Sequence, residues 1–165
     1  MKKAQLISQV FIYIVAVLVT AFILGFGYKA IASFKEKAGQ ASELKLRNDM
    51  TNAVKTISSD YGSVRVMDIR VPGGYNEVCF VKTYNGFPSD QSAATIADYP
   101  IIKNSIDSNS EDNVFLVDNI ERSSFAIGKI DPDPDFLCAK IPSGILRLKL
   151  EGMGDHTRIS ALPLG

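Results

Sequence analysis

The chain has 165 residues, with 18 Lys and Arg set against 18 Asp and Glu, one His and two Cys. Zero formal net charge excludes a protein that holds nucleic acid through a global basic field. One histidine excludes a His-based metal cluster. No Cys-x-x-Cys pair, P-loop, dinucleotide Gly-x-Gly-x-x-Gly or nucleophile-elbow Gly-x-Ser-x-Gly occurs, so the chain offers no recognisable cofactor or hydrolase motif.

No charge interrupts the sequence between Lys3 and Lys29. The run from Val10 to Tyr28 is long enough to cross a bilayer as one helix, at about 1.5 Å per residue against a hydrocarbon core of ~30 Å. In lipid the backbone must satisfy its own hydrogen bonds, which dictates a helix. Ala16 and Thr20 stand four residues apart, as do Ala21 and Gly25. Small residues at that spacing let membrane helices approach closely, although small residues are also simply common in such helices. Tyr28 sits where an interfacial belt residue would.

An ordinary secretory signal has an apolar core of about 7–15 residues followed by a small-residue cleavage site. Here the run is longer, and Gly25, Gly27 and Ala30 make no Ala-x-Ala site. The small residue precedes the run instead, in Lys2-Lys3-Ala4-Gln5-Leu6. This junction resembles the class III signal peptide of archaeal type IV pilins and related surface-filament subunits. The resemblance implies cleavage by a prepilin-type peptidase between Ala4 and Gln5, on the cytoplasmic side of the helix. Alanine stands where glycine is commoner in the family. The glutamate that bacterial pilins carry fifth in the mature helix is replaced by Gln9. Lys29, Lys35 and Lys37 compete with Lys2 and Lys3 under the positive-inside rule. The signal-like junction and the two cysteines favour an external head.

From Lys29 to about Asp60, apolar residues recur at threes and fours: Ile31, Phe34, Ala38, Ala41 and Leu44, then Met50, Ala53, Val54, Ile57 and Tyr61. That spacing predicts an amphipathic helical stem. Ser58-Ser59-Asp60 with Gly62 marks its end. Gly39 costs about 1 kcal/mol in a helix and is a candidate bend. Beyond the stem the pattern changes to period two. Strands are expected over 64–71, 77–83, 113–118, 124–130, 136–141, 145–151 and 157–162, separated by turn signals such as Pro72-Gly73-Gly74 and Pro142-Ser143-Gly144. Residues 93–106 read as a short helical or irregular excursion, because Pro100 breaks any single helix there.

Cys79 and Cys138 both lie in apolar, strand-like runs. They read either as two buried thiols or as a disulfide, which requires an oxidising compartment. An external head favours the disulfide. Asp131, Asp133 and Asp135 alternate with two prolines and are the one set of residues able to gather a hard cation. The usual Ca²⁺ loop pattern of a glycine turn and a distant glutamate is absent, so the expectation is a rigid acidic connector and no metal. His156 follows Gly154-Asp155 and reads as a turn histidine.

Charge is uneven along the chain. Lys29, Lys35, Lys37, Lys45, Arg47 and Lys55 outnumber Glu36, Glu43 and Asp49, while residues 98–135 carry nine acids against Lys103, Arg122 and Lys129. This describes either two solvated faces or a complementary stem-to-head contact between neighbouring copies.

The expected architecture is α+β. A leader (residues 1–4) precedes a transmembrane or filament-core helix (5–28), an amphipathic stem (29–61) and a mostly antiparallel β head (62–165). The expected function is a non-enzymatic, pilin-like structural subunit of a surface filament, without cofactor. Its partners would be the membrane, the peptidase and copies of itself. The alternative is a single-pass anchored binding module that never polymerises.

Overall fold

The computed structural model describes residues 3–82, 84, 86, 95–118 and 121–163. The chain divides into two compact units, Met1–Ala41 and Ser42–Gly165. Helix α1 covers Lys3–Ser58. The helix continues through Gly39.

Within the second unit, α1 contributes Leu46, Met50, Ala53, Val54 and Ile57 to the core. These positions recur at threes and fours and so share one face. The buried face runs through Leu46, 2% exposed, and not through Leu44, 61% exposed. A helix turns about 100° per residue, so these two leucines point to nearly opposite sides. The helix stops where expected. Asp60 donates to the Ile57 carbonyl at 3.0 Å, and Gly62 adopts φ 78°, a left-handed conformation open to glycine.

Among the described residues eight strands follow: β1 (Val64–Arg70), β2 (Glu77–Val81), β3 (Val114–Val117), β4 (Glu121–Phe125), β5 (Ile130–Pro132), β6 (Phe136–Lys140), β7 (Ile145–Gly152) and β8 (Thr157–Ala161). A short helix, α2 (Pro100–Asp107), lies between β2 and β3. Pro100 opens this helix, at the position where its missing N–H costs nothing.

The strands form two four-stranded sheets, ordered β1-β7-β8-β5 and β4-β3-β2-β6. All pairs are antiparallel except β5 with β8. β7 shows the cleanest alternation: Leu146, Leu148 and Leu150 are buried, with Ile145, Arg147, Lys149 and Glu151 half-buried between them. Its inward leucines meet Ile69 from β1, Ile159 from β8 and the buried face of α1. Val78 and Phe80 of β2, with Val114 and Leu116 of β3, join the same core from the other sheet.

The opposite face of that second sheet is also covered. Cys79, Val81, Phe115, Val117 and Phe136 pack with Ile102 of α2 in a separate cluster. Burial on both faces explains why β2 and β3 read as unbroken apolar runs. The tip of Tyr99, just before α2, donates to Glu77 at 2.9 Å, and its ring meets Phe136 edge-on.

The sequence expectation of one strand over 124–130 divides in two. β4 lies at the edge of one sheet, and the chain turns at Gly128, φ 106°, to enter the other as β5. Buried Asn113 holds this crossing: its amide donates to the Gly128 carbonyl at 2.6 Å and its oxygen accepts from the Ile127 N–H at 3.0 Å.

Candidate functional site

In the unit Met1–Ala41, the large apolar side chains from Val10 to Phe34 are all exposed, from 40% for Val15 to 77% for Tyr28. The helix is long and apolar enough to cross a membrane. In water this surface would forfeit about 1.5–3 kcal/mol for each large side chain left uncovered. Thr20 donates its hydroxyl to the Ala16 carbonyl at 2.8 Å, so this polar group needs no outside partner. Ala16, Ala21 and Gly25 are likewise exposed, and Gly25 has open space around it. Phe22 and Phe26 stack one helical turn apart. Ala4 and Gln5 fall within the helical backbone, while their side chains lie outside the described residues.

In the second unit, Cys79 and Cys138 are directly opposed in the β2–β6 register, with Cα atoms 4.0 Å apart and sulfurs at bonding distance. Glu77 lies close enough to have completed a three-ligand group with the two cysteines. Sulfurs bonded to each other are not thiolates, so this group is a disulfide beside a tyrosine-bound carboxylate, not a metal centre.

The acidic run is organised by cations of the chain itself. Lys82 Nζ stands 2.8 Å from Asp131 and 3.5 Å from Asp135, and Arg158 approaches Asp131 at 3.7 Å. The hydrogen bond to Asp131 raises the Lys82 pKa above the ordinary lysine value, with attraction to both carboxylates adding to it. Asp133 is exposed and does not join them. A hard cation would have to displace the lysine ammonium. The connector reading holds for Asp133, whereas Asp131 belongs to β5 and Pro132 is buried.

A polar cluster surrounds the β7–β8 turn that the sequence did not disclose. Tyr84 donates to Asp155 at 2.5 Å, and its ring packs on His156 with centroids 5.0 Å apart. His156 Nδ1 meets Asp155 at 2.6 Å, and its Nε2 faces Asp131 at 4.0 Å. Lys129 lies 5.3 Å above the Tyr84 ring. The Tyr84 hydroxyl, then His156, hold the Asp155 carboxyl below the usual carboxylate range. His156 is therefore held through Nδ1 by Asp155, with Nε2 facing Asp131. The cluster ties the Tyr84 segment to the turn. Tyr84 and Asp155 are 71 positions apart, and no local pattern connects them.

No protein-family model matches this chain, and neither a curated protein nor a solved structure matches it significantly.

One further surface stands out. A groove of about 900 Å³ runs between α1 and the edge strand β1. Its floor includes Leu46, Ala53, Met67 and Ile69, and Lys45, Arg65 and Arg70 stand on its rim. These three cations are exposed and engage no carboxylate among the described residues. Asp49 is on the same rim, and Asp68 is held in a two-pronged pair by Arg147 at 2.7 and 2.9 Å.

Proposed function

We propose that this chain is a structural, pilin-like subunit of a cell-surface filament, anchored in the membrane by its N-terminal helix before assembly. One observation carries the reading. A single helix, α1, bears an exposed apolar stretch from Val10 to Phe34 and, further along, the buried face from Leu46 to Ile57. The first stretch requires lipid or other helices around it. The second is part of a folded β domain. A helix that serves lipid before assembly and neighbouring helices afterwards meets both demands with one surface.

The junction Lys2-Lys3-Ala4-Gln5-Leu6 supports the same reading, by its resemblance to archaeal type IV pilins. Cleavage by a prepilin-type peptidase between Ala4 and Gln5 removes the charged leader and frees the helix to leave the bilayer. The disulfide supports an external head, because disulfides persist in oxidising compartments. The role is assembly, not catalysis.

The test is the intact mass and N-terminal sequence of the protein from its native cells, separated into sheared and membrane fractions. A species that begins at Gln5 in the sheared fraction is the expected result. Full-length protein retained with the membranes would instead support a single-pass anchored binding module.

A further inference from the structure

We infer that the α1–β1 groove is the seat for the α2 end of a neighbouring copy, in a head-to-stem contact between unlike surfaces. The inference rests on the filament reading and gives it a specific contact.

The two surfaces match in chemistry. The groove has an apolar floor and a rim of three unpaired cations, Lys45, Arg65 and Arg70. On α2, Ile101 is an exposed apolar side chain, 48% accessible. It is flanked in sequence by the exposed carboxylates Asp98 and Asp107, with Glu111 just beyond. None of these acids engages a cation among the described residues. The other acids nearby are already used: Asp112 accepts from Ser124, and Asp118 from Asn76. An exposed apolar residue with unengaged carboxylates on either side of it in sequence thus answers an apolar floor with unengaged cations on its rim. The one reversed pair also matches, because exposed Lys103 of α2 answers Asp49 on the groove rim.

The occupant is a second copy because the complementary surface is present on this chain. A contact between two different patches of identical subunits is heterologous. It does not close on itself unless its rotation happens to make a ring, so it propagates. Opposite charges at such an interface set register and exclude wrong partners more than they add affinity. The contact should therefore weaken with salt.

The experiment is zero-length carbodiimide coupling of the full chain in native cells that express light and heavy isotopic forms together. The membrane and sheared fractions are then read by mass spectrometry. Coupling of Lys45 to Asp98, Asp107 or Glu111 in mixed light–heavy pairs is expected. The double substitution Arg65→Glu with Arg70→Glu should lower the yield of these pairs about tenfold, since like charges replace opposite ones. A retained Cys79–Cys138 bond in that variant reports an intact head. Filaments that form without any mixed Lys45 pair overturn the contact and leave the filament reading standing. Mixed pairs in membranes without filaments establish the contact and count against the filament reading. Neither pairs nor filaments would remove both.

Discussion

Gly152 lies against the end of α1 so closely that a β-carbon built on it falls 2.1 Å from the Ile57 carbonyl oxygen and 2.3 Å from that of Asp60. The backbone N–H of Gly152 donates to Ser63 at 2.9 Å, and its carbonyl accepts from Gly62 at 2.8 Å. These main-chain hydrogen bonds add to the side-chain packing between the end of α1 and β7. Gly152→Ala should destabilise the head by about 3 kcal/mol, in the range of overpacked sites. Denaturant unfolding would measure it. Gly39→Ala is the control. Nothing lies within 4 Å of its added β-carbon, and it should be neutral or stabilising by up to about 1 kcal/mol.

The Cys79–Cys138 bond closes a segment with a sequence separation of 59. Loop-closure entropy assigns such a link about 4 kcal/mol. Substituting both cysteines by alanine should lower stability by up to that amount. Amide exchange should rise first in α2 and β6, because the bond sits in the cluster that α2 covers. Equal protection of α2 in both proteins would mean that the cover is held by its apolar contacts alone.

Asn113 is 1% exposed and serves both the Gly128 carbonyl and the Ile127 N–H. Asn113→Leu should cost about 1–3 kcal/mol, since it leaves the buried Ile127 N–H unpaired. Thermal unfolding of the two proteins side by side gives the difference. A loss below about 0.5 kcal/mol would place the value within the range of surface substitutions and show that the crossing does not depend on this amide.

Lys82 gives an alkaline signature. Its folded pKa is raised by Asp131 and then by Asp135. A raised lysine contributes its full stabilisation below the ordinary lysine value and loses it as pH rises through the higher folded value. The stability gap between the protein and its Lys82→Met variant should therefore be constant near neutral pH and narrow in strong alkali. A gap independent of pH would show that the lysine acts through its packed stem.

At the β7–β8 turn the sign is reversed. Asp155 is held low by the Tyr84 hydroxyl first and by His156 second. A depressed carboxyl contributes above its ordinary value and stops contributing as pH falls through the lowered one. Tyr84→Phe removes the larger cause. The Asp155 pKa, followed by carboxyl-carbon NMR, should move up toward the ordinary aspartate value.

Much of the α+β organisation could be read from periodicity. The end of α1 was marked by Gly62, and β7 by its alternating leucines. The rest depended on tertiary partners. Leu44 and Leu46 are equally apolar, and only the position of the sheets decides that Leu46 is the buried one. Residues 124–130 alternate as one strand, yet the side chain of Asn113 turns the chain at Gly128 into a different sheet. That Lys82 pairs with Asp131 and Asp135 was not legible in the acidic run, because the lysine is remote in sequence. The groove rim had a faint trace in the uneven charge of the stem, but Arg65 and Arg70 come from β1 and joined it only through folding.

The order of strands β1-β7-β8-β5 has a consequence for synthesis. β8, made after both of its neighbours β5 and β7, is an interior strand of its sheet, and among the described residues it alone links β5 to the rest. β1 is made early and must wait for β7 to arrive much later. The sheet is therefore completed only after β8 has been made. A polypeptide cut short before Thr157 would leave β5 without its β8 neighbour, so assembly of this sheet waits on residues 157–161.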